Sequence, residues 1–198
     1  MFKSSLGGSF DASLIRQDKV SGLYLVESLW TVEHLRRKAR GPALYEWANV
    51  IPPDTTKNVC TDEGLNALLD IMFHGSTQIA TWYVLIFESD TTPAAGTTYA
   101  TPVFTESTAY DEATRPAYDE AAASSKVTTN SASKATFTIS GSKTIYGGAL
   151  VGGGSTTSTK GDAAGGGKLY CASKFGTSKS VVDDDVLKVT VSITAADT

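Results

Sequence analysis

Two histidines, His34 and His74, and two cysteines, Cys60 and Cys171, are all that the sequence offers as imidazole or thiolate metal ligands and as imidazole and thiol catalysts. His34 falls in a strand-like stretch and His74 at the end of a helical one. Neither has a cysteine or a second histidine at ligand spacing, which argues against a zinc site. The cysteines lie far apart in no metal-like arrangement; one disulfide is open to them, but two free, half-buried thiols in a reducing cytosol is the simpler expectation. No Gly-x-Ser-x-Gly elbow occurs, so a serine hydrolase has no local signature here. Basic residues do not predominate either: a formal net charge of −4 opposes a nucleic-acid binder, which usually presents a basic face. Long apolar runs are also missing. The opening "MFKSSLGGSFDASLIRQDKV" has a single early lysine and no apolar segment of a secretory signal. Nothing approaches the roughly eighteen apolar residues of a membrane span. A soluble chain without cofactor, nucleic-acid or membrane partner is expected.

Glycine, by contrast, is plentiful, and residues 147–168, "GGALVGGGSTTSTKGDAAGGGK", suggest a phosphate loop at first sight. That loop requires glycine, four residues, then Gly-Lys-Ser/Thr. Here Gly167-Lys168 is followed by Leu169, and Asp162 stands where the first glycine belongs. A dinucleotide fingerprint fails as well, because it must open a helix and "KLYCASKF" reads as a strand. The stretch is two strands, 144–152 and 168–175, joined by a loop of about fifteen residues. Such length in a compact domain usually marks function or disorder, and with no catalytic residue types in it, contact with a neighbour is expected.

The remaining pattern is mainly β: an antiparallel β-sandwich with one short amphipathic helix and an extended N-terminal arm. Residues 1–22 are small and polar with isolated apolar residues, too few to hold a fold of their own. From 23 to 198 a single sandwich domain is expected. "LYLVESLWTVEHL" alternates, with a suspected bulge near Ser28; "RRKARGP" makes a turn and "ALYEWANVIP" returns, so 23–51 reads as a hairpin. Over 61–74, Leu65, Leu68, Leu69, Met72 and Phe73 give one face of a helix packed as core, capped by Thr61 and ended at Gly75. A β-core follows over 81–195: "TWYVLIFES" reads as a strand buried on both faces, then "TRPAYDEAAA", "KATFTIS", "KTIYGGALVGG", "KLYCASKFG" and "DVLKVTVSITA". Short strands separated by Gly, Ser, Thr and Pro signal a sandwich.

Acidic residues gather at "YDEATRPAYDEA" (110–121) and "VVDDDV" (181–186). A paired-carboxylate glycosidase would need its acids in a sugar-lined cleft; a solvated strand and turn is the plainer expectation. The aspartate run suits a turn with Asx-type bonds, with calcium as the alternative. No enzyme can be argued from these residues.

The segment "NVCTDEGLNALLDIMFHGSTQIATWYVLIFESDTTPAAGTTYATPVFTESTAYDEATRP", with "WTVEHLR" before it and "VLKVTVSITA" near the end, resembles small structural proteins of tailed bacteriophages. The resemblance spans about 29–195, leaves the arm unaccounted for, and brings no catalytic residues. It implies a virion protein assembled in the host cytoplasm, without saying where in the particle. The expected role is a capsid decoration (cement) protein, trimeric, binding the major capsid protein and copies of itself. Phe2, Leu6, Phe10 and Leu14 of the arm and Arg36, Arg37 and Arg40 of the hairpin tip are the expected contacts. A tail component, as fibre adaptor or collar protein, is the alternative. A host carbohydrate-binding module would instead need Tyr99, Tyr110 and Tyr118 exposed on one loop face.

Overall fold

The computed structural model describes residues 26–41 and 44–195. The arm expected at 1–22 lies outside them. Among the described residues the chain is mainly β and its strands pair antiparallel. The elements are β1 (Glu27–Gly41), β2 (Leu44–Asn49), β3 (Asp54–Cys60), α1 (Asp62–Phe73), β4 (Trp82–Phe87), β5 (Val127–Thr129), β6 (Ala135–Thr138), β7 (Lys143–Gly152), β8 (Lys168–Val181) and β9 (Val186–Thr194).

The strands form two layers that share β3. One layer runs β3-β1-β9, with β5 and β6 end to end along the outer edge of β9 and β2 paired to β1. The other runs β3-β8-β7-β4. Between the layers Trp30, Val32, Phe137, Leu187, Val189 and Val191 meet Val84, Ile86, Ile145 and Leu150 in one core. Along β9 the alternation is as expected, with Leu187, Val189 and Val191 inward. On β1 residues 28, 30, 32 and 34 are all buried and the pairing with β9 is unbroken. The bulge suspected at Ser28 is therefore absent; its small hydroxyl side chain simply takes an inward position.

Asn130 fills the gap between β5 and β6. Its side-chain oxygen accepts from the Val191 N–H at 2.7 Å and its amide donates to the Val189 carbonyl at 3.2 Å. A fully buried side chain thus stands in for the strand that is missing there.

The second layer is apolar on both faces, as the unbroken "WYVLIF" run requires. Val84 and Ile86 face the shared core, whereas Leu85 and Phe87 join Tyr99, Phe104, Ala149, Val151 and Leu169 in a second cluster. Gly147 and Gly148 leave room on the two sides of β7. A Cβ on Gly147 would lie 2.1 Å from the Phe87 ring, and one on Gly148 2.8 Å from the Trp30 ring. Cys60 and Cys171 stand opposite each other on β3 and β8 as free thiols. Cys171 is fully buried, which pushes its thiol well above the ordinary range.

The outer face of this layer is covered by non-strand chain, including the segment 97–106 and the long loop 153–167. Arg115 joins the cover together. It is 2 % exposed, and all five guanidinium hydrogens have acceptors. Nε and Nη2 meet Glu106 at 2.9 and 2.5 Å, while Nη1 and Nη2 reach the Thr157 and Asp162 carbonyls at 2.8 and 2.6 Å. Nη1 also donates to the Tyr99 hydroxyl at 3.2 Å. Glu106 accepts in turn from the Gly161 N–H. Burial opposes the charge on Arg115, but the Glu106 hydrogen bonds and attraction outweigh it and raise the guanidinium pKa further. The loop's length therefore serves this chain's own second core.

Two sequence expectations change. "TRPAYDEAAA" is not a strand: it touches β4 through single bridges and bonds, such as Tyr83 opposite Ala117 and the Val84 N–H on the Pro116 carbonyl. Pro116 has no N–H to extend a ladder. Conversely β3, which the sequence hides, is the strand common to both layers.

Replacing Arg115 by Met should destabilise the fold by about 3–5 kcal/mol, because the buried Glu106 carboxylate loses its cation and the Thr157 carbonyl its donor. Urea unfolding at neutral pH measures this, and a loss below about 1 kcal/mol contradicts the role given to Arg115. Asn130→Ala should cost about 1–3 kcal/mol in the same assay by orphaning the two backbone groups of β9.

Candidate partner-binding surface

Past Leu35 the described pairing of β1 is with β2 alone. The β3 contact ends at Val32 and the β9 contact at Leu35, yet β1 runs on to Gly41. Residues 36–41 and 44–48 thus extend past the sheet as a two-stranded ribbon. The expected turn over "RRKARGP" is corrected: 36–41 are strand, paired from Leu35↔Asn49 to Gly41↔Leu44, and the connection falls at 42–43, outside the described residues. Charge along 36–40 does not prevent pairing, because a ribbon exposed on both faces can carry charged side chains outward.

A two-stranded ribbon is marginal by itself, and this one is fixed at its root. The His34 Nε2–H donates to Asp185 Oδ2 at 2.8 Å, and Arg36 clamps the same carboxylate through Nε at 2.7 Å and Nη2 at 2.6 Å. The Val182 N–H adds a further bond at 2.9 Å. The Asp185 side chain is 1 % exposed. Burial alone would raise its pKa; the hydrogen bonds from Arg36, His34 and Val182 outweigh that and hold it below the usual carboxylate range. The turn "DDD" thereby ends β8, opens β9 and anchors the ribbon. Its third carboxylate is engaged by Arg36, His34 and the Val182 N–H of this chain.

Registry divides the ribbon's two faces. Arg37 lies opposite Trp47 and Ala39 opposite Tyr45, so these four share one face. Tyr45 is 60 % and Trp47 50 % exposed, and the Arg37 guanidinium sits 4.8 Å from the centre of the Tyr45 ring. Tryptophan, tyrosine and arginine are the residue types that dominate binding energy at protein interfaces. Of the expected contacts, Arg37 is on this face. Arg36 points the other way and is engaged by Asp185. Arg40 lies in β1 with its side chain outside the described residues, and Phe2, Leu6, Phe10 and Leu14 lie outside them entirely. Tyr45 and Trp47 were not singled out from sequence, because alternation in a hairpin cannot say which pairs remain uncovered.

Helix α1 supplies a second uncovered surface. Thr61 caps it, accepting from the Gly64 N–H at 3.0 Å, and Gly75 follows its end with φ of +73°. The Thr61 hydroxyl bonds the Leu169 carbonyl, and Glu63 accepts from the N–H groups of Tyr99 and Leu169. A Cβ on Gly64 would lie 2.5 Å from the Tyr170 backbone, so only glycine allows this approach to β8. The first turn is therefore docked, and Leu68 packs on the core. Leu65 is half-buried, and the last three residues of the expected core stripe are not covered: Leu69, Met72 and Phe73 are 53 %, 64 % and 82 % exposed. The sequence expectation of a core-packed helix is corrected to a helix seated by one end and one edge.

Tyr99, Tyr110 and Tyr118 are buried at 4 %, 2 % and 4 % exposure. They are core residues, not the exposed glycan-stacking platform that a carbohydrate-binding module would need. Glu106 is held by Arg115, and Glu112 accepts from the Thr138 N–H and hydroxyl. Among the described residues no group of three or more His, Cys, Asp or Glu is placed to hold a metal ion, and no helix is long and apolar enough to cross a membrane.

The depressed pKa of Asp185 fixes the sign of its pH effect. Its contribution is fully present above the unfolded value of about 3.9 and is lost as pH falls through the lower folded value. Ribbon amides should keep their hydrogen-exchange protection, corrected for intrinsic rates, down to about pH 4 and lose it selectively below that. Asp185→Asn should abolish that transition and loosen the ribbon already at neutral pH. No family model matches the sequence and no curated protein matches it either, so the functional reading rests on these surfaces and on the residues that carry the phage resemblance.

Proposed function

We propose that this chain is a non-enzymatic structural protein of a tailed-bacteriophage virion, acting as a capsid decoration protein that binds major capsid subunits and stabilises the mature head. The observation that carries the reading is the ribbon: Arg37, Tyr45 and Trp47 stand exposed on a two-stranded extension whose root is clamped by Asp185. Large aromatics held away from the core on a fixed mount suit adhesion through surface area, without any step of chemistry. A stable contact of this kind buries on the order of 1,600 Å² over both partners. The resemblance to phage structural proteins supplies the setting.

The mechanism is linkage. A protein that binds the expanded shell and not its precursor stabilises the shell by RT ln(1 + [L]/Kd), about 2.7 kcal/mol at a hundredfold excess over Kd. Rigidity of the ribbon root favours such binding, because fewer side chains must be ordered at the moment of contact.

Copy number relative to the major capsid protein, by quantitative mass spectrometry of virions, tests the location. A number close to that of the capsid subunits supports decoration; a few copies per particle moves the chain to the tail and removes the lattice-stabilising mechanism. Trp47→Ala and Tyr45→Ala should leave the fold intact, since both side chains are exposed, and weaken head binding by tenfold or more, about 1.4 kcal/mol or greater. Arg37→Ala should weaken binding most at low salt, where exposed charges are least screened.

A further inference from the structure

Beside the exposed edge of α1 lies an apolar groove of about 530 Å³, lined by Leu68, Ile71, Met72, Ile79, Trp82 and Val26 among others. Its floor is core: Tyr118, Leu150 and Tyr170 reach into it from β7, β8 and the segment beside β4. Leu69 and Phe73 on the same helix are exposed as well, and Met72, which lines the groove, is 64 % exposed.

Val26 identifies the occupant. It is the first described residue, it lines the groove, and twenty-five further residues precede it. Within them Phe2, Leu6, Phe10 and Leu14 recur every fourth position, and Ile15, Val20, Leu23, Tyr24 and Leu25 add to the apolar content. A segment tethered at the rim of the groove meets it at an effective concentration on the order of millimolar, which no separate partner matches at ordinary abundance. Each residue of chain spans up to about 3.3–3.6 Å, so the tether does not limit which of these residues reach it.

We infer that the groove beside α1 is the docking site for residues 1–25 of the same chain, with Phe2, Leu6, Phe10 and Leu14 as its anchors. The segment closes over Met72 and Trp82 and covers the apolar edge that the sandwich leaves open. This gives the arm a place on its own domain, and it holds whether or not the ribbon meets a capsid.

The test uses the full chain with a photoreactive benzophenone amino acid in place of Met72, an exposed position that tolerates the change. Unlabelled and nitrogen-15-labelled copies are mixed before irradiation, and cross-linked peptides are mapped by mass spectrometry. The expected result is cross-links from position 72 to peptides within residues 1–25 carrying the same isotope label. Substituting Phe2, Leu6, Phe10 and Leu14 by Ser in the same chain should reduce their yield at least tenfold. Cross-links joining differently labelled copies would overturn the inference and make the groove an interface between copies. Absence of any cross-link to residues 1–25, or a yield unchanged by the four serines, would overturn it too.

Discussion

One buried cation organises the half of the molecule that lies outside the sandwich core. The β3-β8-β7-β4 layer is apolar on both faces, so it needs a cover, and that cover is irregular chain with backbone carbonyls that must be paired. Arg115 answers both demands. Its planar head reaches two carbonyls of the long loop, a tyrosine hydroxyl and a carboxylate at once. A lysine has too few donors and the wrong shape for such a fork, and an apolar residue would leave the Thr157 carbonyl unpaired and Glu106 without its cation. The glycine-rich loop is long because it must cross this face and return.

The same economy explains the uncovered surfaces. β1 continues as a strand after its partners β3 and β9 have ended, and α1 is held to β8 by its first turn at Gly64. In both places local structure outruns tertiary packing. Exposed aromatics on a clamped ribbon and exposed Leu69, Met72 and Phe73 on a helix seated by one end are the result. A molecule whose Tyr99, Tyr110 and Tyr118 are buried and whose Glu106, Glu112 and Asp185 are engaged within the fold, but whose apolar edges are uncovered, is suited to association. The ribbon and the groove are different surfaces, and the two occupants proposed for them, a capsid subunit and the chain's own N-terminal segment, do not compete.

Much of the architecture was legible along the chain, and the failures have definite causes. β9 and β4 were readable because alternation and an unbroken apolar run report burial on one face or two. β3 was not: "DTTKNVC" has few apolar residues, since its pairing with two layers rests on backbone bonds and on contacts such as Asp54 with Lys179. Of the basic cluster, sequence placed Arg36 and Arg37 together, whereas strand alternation sends one to Asp185 and the other to the aromatic face. That partner is 149 residues away along the chain, a separation that local pattern cannot bridge.

By itself the sequence determined the β class and the helix with its Thr61 cap and Gly75 stop. All of these depend on neighbours within a few positions or on composition. Tertiary structure decided which apolar residues are core and which are surface. It buried Tyr110 and Tyr118, exposed Tyr45 and Phe73, and turned "DDD" from a simple turn into the anchor of the ribbon. Burial depends on what arrives from distant parts of the chain to cover a side chain, and periodicity records only the side on which it is presented.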